Sequence, residues 1–150
     1  MDIAVLVLDG VFDTGLAAVL DTFALAGELG GDAARFSVTP VAVRRRVRTA
    51  HGLVVPLAPR PRAVPDLVFC PALGAKSPAA LDAVLDGREV RDTAALLSEW
   101  RSGGARVAAA CTGTYVAASA GLLDGHAATT TWWLASHFRS CFPKVALDEA

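Results

Sequence analysis

Apolar residues along the chain fall into short continuous runs that alternate with stretches of helical spacing. Runs such as Ile3–Leu8 end at turn residues, which is typical of buried strands. Between such runs, apolar residues recur every three or four positions until a glycine pair follows, as at Gly30-Gly31. The predicted strands are Ile3–Leu8, Phe36–Val43, Asp66–Pro71, Arg106–Ala110 and Val145–Leu147, and the predicted helices are Gly15–Leu29, Pro78–Leu85, Val90–Trp100, Thr112–Leu122 and Trp132–Phe142.

This alternation of strands and helices predicts an α/β fold with a mostly parallel sheet and helices on both faces. Ligands of such sheets bind beyond the carboxyl ends of the strands. Three loops follow predicted strands there: residues 9–15, residues 71–77, and the turn at Cys111. We therefore expect any functional site to be built from these three loops.

Composition narrows the class of protein. The 150 residues are 53% hydrophobic, which predicts one folded domain over residues 1–150 and excludes a disordered chain. No apolar run reaches the ~18–20 residues of a membrane span, and no signal peptide is recognisable. The net charge of −1 does not indicate the basic surface that nucleic-acid-binding proteins present. The three cysteines form no disulfide or zinc pattern, and no nucleotide-binding motif occurs, so we predict a cytoplasmic protein without a cofactor.

Cys111 stands where a buried strand passes directly into a helix, between small residues on both sides. This arrangement is typical of a nucleophile elbow, a tight turn that lifts one side chain above the sheet. A helix N-terminus would also favour the thiolate of a cysteine at this position. The alternative, a buried structural cysteine between strand and helix, stays open from these residues alone.

The segment around Cys111 resembles the ThiJ/PfpI superfamily, and within it the sensor domain of AraC-type transcription regulators. The resemblance rests on Ala110-Cys111-Thr112-Gly113, Ala120–Gly125, Ala128-Thr129-Thr130 and Trp132-Trp133. It implies a flavodoxin-like three-layer sandwich, a homodimer and a small-molecule ligand. It also implies that DNA is contacted only by a region outside this chain, that no membrane is involved, and that a C-terminal strand and helix of the domain are missing here.

The resemblance assigns roles to individual residues. It implies that Cys111, Asp13 and Thr112 would be catalytic in an enzyme of the superfamily. The expected ligand-binding residues are Asp13, Ala72, Leu73, Gly74, Cys111, Thr112, Thr131 and Trp132. No metal ligands are predicted, since His51, His126 and His137 show no ligand spacing and are expected at the surface.

The sequence departs from the superfamily at three places that carry chemistry in relatives. Thr112 follows the cysteine where protease-like members have a histidine, and Thr131 precedes the tryptophans where a histidine is usual. The loop Pro71-Ala72-Leu73-Gly74 replaces Pro-Gly-Gly, whose N–H groups can bind an oxyanion. These departures favour a sensor that binds a metabolite in a degenerate catalytic pocket.

Two other functions remain as alternatives. One is an isocyanide hydratase-like enzyme, in which the Cys111 thiolate attacks the isocyanide carbon, Asp13 handles protons and Thr112 positions the adduct. The other is a redox-responsive protein that acts through oxidation of the Cys111 thiol.

Overall fold

A four-stranded parallel sheet forms the centre of the molecule, as a computed structural model of the chain shows; the structure describes residues 1–31 and 36–149. The strands are β1 (Asp2–Leu6), β2 (Ser37–Val41), β3 (Leu67–Cys70) and β4 (Arg106–Ala109), and they lie in the order β2-β1-β3-β4. Every pairing is parallel. The order reverses between β1 and β3, so the loops after these two strands begin side by side.

Five α-helices accompany the sheet in the described residues. They are α1 (Asp13–Leu29), α2 (Pro78–Leu85), α3 (Arg88–Ser102), α4 (Gly113–Ser119) and α5 (Ala135–Cys141). The Ser77 hydroxyl accepts a hydrogen bond from Ala80 N at the start of α2, where Pro78 occupies the first turn. Both features favour a helix start, and the bounds of α2 are those that the sequence predicts.

The two faces of the sheet carry two separate apolar clusters, because successive side chains of a strand point to opposite faces. Ala4 and Leu6 of β1 belong to the larger cluster, with Leu97 and Trp100 of α3, Tyr115 of α4 and Phe138 of α5. Val5 belongs to the smaller cluster, which contains Leu16 of α1 together with Val47 and Val55. The predicted three-layer arrangement is therefore confirmed.

Three details differ from the prediction. Helix α4 ends at Ser119, and the chain turns through Gly121, whose φ is 70°. The segment predicted as one helix from Trp132 to Phe142 divides into a 3₁₀ turn, Trp132–Leu134, followed by α5. Leu25, predicted on the apolar face of α1, is 54% exposed.

A second, small sheet lies near the end of the described chain. Strand β5 (Ala127–Ala128) pairs in parallel with β6 (Ala146–Leu147). The pattern predicts β6 but not β5, since two alanines carry no alternation of apolar and polar residues. In residues 1–31 and 36–149, none of the helices combines the length and apolar character needed to cross a membrane.

Candidate functional site

Cys111 occupies a strained turn between β4 and α4. Its φ of 52° is the only positive φ at a non-glycine residue in the described chain. The side chain is exposed at the surface. A left-handed backbone at an exposed cysteine between strand and helix is the geometry of a nucleophile elbow, as the sequence predicts.

The turn depends on the small residue that follows. A Cβ at Gly113 would lie 2.3 Å from the carbonyl oxygen of Cys70 and 2.6 Å from that of Pro71. Only glycine can occupy this position without displacing the backbone of the neighbouring loop. The first turn of α4 is therefore packed directly against the end of β3, and Cys111 is placed at the carboxyl edge of the sheet.

The Thr112 hydroxyl fastens the elbow to the loop after β3. It accepts a hydrogen bond from Leu73 N at 2.8 Å and donates one to Leu73 O at 3.0 Å. Thr112 is buried. On the other side, the Thr130 hydroxyl donates to Cys111 O at 3.1 Å. The backbone on both sides of the cysteine is thus fixed by threonine side chains.

The loop after β3 is also tied to the loop after β1. Gly74 N donates to Gly10 O at 2.7 Å, and Phe12 N donates to Ala72 O at 2.8 Å. A Cβ at Gly74 would lie 2.5 Å from the Ala50 Cβ, so a side chain there would clash. The N–H groups of Leu73 and Gly74 are consequently used within the protein and are not free to bind an oxyanion. The side chain of Leu73 lies in the main apolar core.

Asp13 is hydrogen-bonded to His51 and makes no hydrogen bond to the cysteine thiol. Its Oδ2 lies 2.8 Å from His51 Nδ1 and accepts a further bond from His51 N at 3.2 Å. The neighbouring Thr49 hydroxyl, followed by the His51 contacts, lowers the pKa of Asp13 although burial opposes the shift. Asp13 Oδ1 is buried and has no hydrogen-bond partner among the described residues. Both residues lie near the hairpin of residues 47–55, in which Arg48 pairs with Val54.

A cavity of about 310 Å³ opens beside Cys111. Its described lining consists of Cys111, Thr129, Thr130, Thr131, Trp132, Trp133, Ala135, Leu147, Asp148 and Glu149. Trp132 is 82% exposed, and its ring meets the ring of Trp133 edge to face, with centroids 5.7 Å apart. The Trp133 indole N–H donates to Lys76 O at 3.2 Å, which fixes this wall of the cavity to the loop before α2.

The structure brings together some of the predicted site residues and separates others. Cys111, Thr131 and Trp132 line the cavity. Ala72, Leu73, Gly74 and Thr112 form the layer that supports the elbow. Asp13 lines a different groove of about 380 Å³ between α1 and the hairpin. The Cys111 thiol has no hydrogen-bond partner within the part of the chain that the structure describes.

Among the residues that the sequence analysis did not predict at a functional site are Thr130, Asp148 and Glu149 of the cavity, and His51 beside Asp13. His51 lies 38 positions from Asp13, and a pairing at that separation leaves no trace in a single sequence. Thr130 belongs to the motif Ala128-Thr129-Thr130, which is part of the family resemblance. That motif could have indicated that Thr130 lies at the site. The two acidic residues follow β6, at the carboxyl end of a strand, where polar side chains often face a ligand.

Solved structures share this architecture over almost the whole chain. An AraC family transcriptional regulator from Pseudomonas putida matches with a TM-score of 0.77 and 18% identity, covering 99% of this chain and 76% of that chain. A ThiJ/PfpI family protein from Pseudomonas syringae matches with a TM-score of 0.70 and 23% identity, covering 99% and 57%. Drosophila melanogaster DJ-1beta matches with a TM-score of 0.66 and 16% identity, covering 99% and 74%.

The chain has the DJ-1/ThiJ/PfpI fold. The sequence matches no protein-family model, and no curated protein matches it, so this relationship is carried by the structure. The fold class predicted from the strand–helix alternation is confirmed, and so is the resemblance based on the Cys111 segment at the level of the fold. The same fold serves regulators and other proteins, and the function must therefore be argued from the site.

Proposed function

We propose that the chain is the ligand-sensing domain of a transcription regulator of the AraC kind. One observation carries this proposal: the elbow and its cavity are present, but the groups that would support catalysis are engaged elsewhere. The Thr112 hydroxyl and the N–H groups of Leu73 and Gly74 bond within the protein, and Asp13 bonds His51. A pocket whose supporting polar groups are hydrogen-bonded within the protein is suited to binding a ligand rather than to catalysing a reaction.

The lining of the cavity favours a small organic cation as the ligand. No lysine or arginine occurs among the described lining residues, whereas Asp148 and Glu149 contribute carboxylates, of which Glu149 is ion-paired with Arg139. The exposed face of Trp132 offers the electron-rich surface that attracts ammonium groups. The Thr129 and Thr130 hydroxyls donate within the protein and keep lone pairs that can accept a hydrogen bond from an amine, whereas Thr131 Oγ1 is buried. Since carboxylates and aromatic faces both attract cations, we infer a metabolite that carries an amine or a quaternary ammonium group.

A second copy of the chain is the partner that we propose for the groove between α1 and the hairpin. Leu16 and Leu20 of α1 line it together with Leu53 and Val54, which are 65% and 62% exposed. Exposed apolar side chains that form a continuous surface are typical of an interface. A twofold dimer would bury this surface and double the sensor, while DNA contact would belong to another region of the regulator.

Binding can be tested by isothermal titration calorimetry with choline as the probe. We expect saturable binding of choline at one site per chain, weaker binding of its neutral tert-butyl isostere, and none of acetate. Trp132→Ala should weaken choline binding by about two- to five-fold, because an exposed cation–π contact contributes about 0.5–1 kcal/mol. Leu25→Ala, an exposed apolar position on α1, should change nothing. Equal heats for choline and acetate would contradict the assignment of the ligand class.

The isocyanide hydratase alternative is supported by one observation, the exposed Cys111 at a strained elbow. That mechanism needs a proton donor near the thiol, and the Asp13 carboxylate is hydrogen-bonded to His51 instead. It also needs a hydroxyl that is free to position the adduct, and Thr112 uses its hydroxyl on Leu73. The redox alternative depends on the same exposed thiol, and exposure alone does not make a cysteine reactive.

A further inference from the structure

Three potential metal ligands converge on the surface between α2 and α5, outside the residues that line the Cys111 cavity. Asp82 Oδ1 lies 3.0 Å from His137 Nε2, and Cys141 Sγ lies 3.6 Å from the same nitrogen. All three donor atoms lie within 4.8 Å of one another. Asp82 and Cys141 are exposed, and His137 is half-buried, so solvent can reach the cluster.

Tyr115 determines which nitrogen of His137 faces this cluster. The Tyr115 hydroxyl donates to Leu134 O at 3.0 Å, because a carbonyl oxygen can only accept. Its oxygen therefore accepts from His137 Nδ1, 3.2 Å away. The Nδ1 proton is thus committed to the tyrosine, and Nε2 is turned toward Asp82 and Cys141. Histidines that bind a metal through one ring nitrogen commonly donate a hydrogen bond from the other.

We propose that Asp82, His137 and Cys141 form a binding site for a thiophilic divalent cation of the Zn²⁺ class. Tetrahedral zinc with ordinary bond lengths places nitrogen and oxygen ligands about 3.4 Å apart, and nitrogen and sulfur ligands about 3.6 Å apart. The observed separations of 3.0 Å and 3.6 Å are close to these values. Cys141 Sγ also lies 4.0 Å from Nδ1, so the sulfur sits over the ring, and metal binding would require the exposed Cys141 side chain to rotate toward the Nε2 lone pair.

The donor set matches the chemistry of zinc. Thiolate, imidazole and carboxylate are its three protein ligands, and a water molecule would fill the fourth position. Binding would release the Cys141 thiol proton to solvent, and the ion would take the place of the direct contact between Nε2 and Asp82. His137 and Cys141 are four residues apart on α5, so one helix face presents both ligands.

The same geometry argues against a catalytic triad. In a triad, the nucleophile and the acid contact opposite nitrogens of the histidine ring. Here Asp82 and Cys141 both approach Nε2, and Nδ1 is occupied by Tyr115. Convergence of three donors on one point is the requirement of a metal ion. The bound ion would join α2 to α5, and it would do so whether or not the Cys111 cavity binds a metabolite.

The test is a titration of the full chain with Zn²⁺ by calorimetry, together with the absorption spectrum of the Co²⁺-substituted protein. We expect one Zn²⁺ per chain and a Co²⁺–thiolate charge-transfer band in the near ultraviolet. Cys141→Ser should abolish the band and weaken Zn²⁺ binding by about ten-fold or more, and Asp82→Asn should weaken it by a similar factor. Both positions are exposed, so these variants should fold.

Two matched variants serve as controls. Cys111→Ser removes the other exposed cysteine, and His126→Gln removes an exposed histidine that contacts Asp124 O. Neither should change the affinity for Zn²⁺ or the Co²⁺ spectrum. The proposal is overturned if the wild-type chain takes up no Zn²⁺ saturably, if the thiolate band survives Cys141→Ser, or if Cys111→Ser removes it.

Discussion

Cys111 is held in a backbone conformation that its side chain disfavours. A left-handed φ destabilises the folded state by about 1–2 kcal/mol at a non-glycine residue. At Cys111 this conformation places the thiol at the cavity. The surrounding hydrogen bonds from Thr112 and Thr130 keep the turn in this conformation. Strain maintained in this way is typical of functional sites.

The strain at Cys111 can be measured by comparing glycine with alanine. Cys111→Gly should be more stable than Cys111→Ala by about 1 kcal/mol in urea denaturation, because glycine adopts a positive φ without steric cost. Ala95→Gly in the exposed middle of α3 is the control, and it should destabilise by about 1 kcal/mol. Destabilisation by glycine at both positions would show that residue 111 is not strained.

The contacts of the Asp13 carboxylate with Thr49 and His51 make stability depend on pH in the acid range, since they lower the pKa of Asp13. Since the pKa of Asp13 is lowered from 3.8 in the folded chain, the folded state favours the ionised carboxylate. This contribution is complete above about pH 5 and is lost as the pH falls through the folded pKa. The advantage of the wild type over Asp13→Asn in unfolding free energy should therefore shrink between about pH 5 and pH 2. A difference that grows on acidification would be inconsistent with a lowered pKa.

At the scale of elements, the Thr112 hydroxyl joins α4 to the loop after β3. Thr112→Val should destabilise the fold by about 2–3 kcal/mol, because it leaves the N–H and carbonyl of Leu73 without their partner. Thr112→Ser keeps the hydroxyl and should recover most of this loss. Urea denaturation of both variants checks the prediction, and equal stability of the serine and valine variants would refute the role of the hydroxyl.

Local patterns in the sequence predicted most helices and strands. They did not predict which distant segments contact one another. Helix α2 begins and ends where a serine cap, a proline and an apolar repeat predict. The Cys111 turn was also predictable, because strand, small residues and helix adjoin in sequence. The Asp13–His51 pair and the burial of Leu73 depend on three loops meeting at one edge of the sheet. That meeting is a property of the tertiary fold, which a single sequence does not encode locally.

At the scale of the whole molecule, the groove between α1 and the hairpin should mediate dimerisation. Leu53→Asp and Val54→Asp should shift the chain toward monomer in sedimentation velocity, because each places a charge in the apolar surface. Leu29→Asp, at the far end of α1, is the control and should leave the dimer intact. A wild-type chain that is monomeric at all concentrations would contradict this assignment.

The DJ-1/ThiJ/PfpI fold can support both catalysis and sensing, and we propose that this chain uses the site for binding without turnover. The most direct test follows methyl isocyanide by NMR in the presence of the wild type and of Cys111→Ala. Hydration would add one water to the isocyanide and give N-methylformamide. We predict no formamide above the background rate with either protein. Formation of formamide by the wild type, abolished in Cys111→Ala, would show an enzyme and would contradict the account.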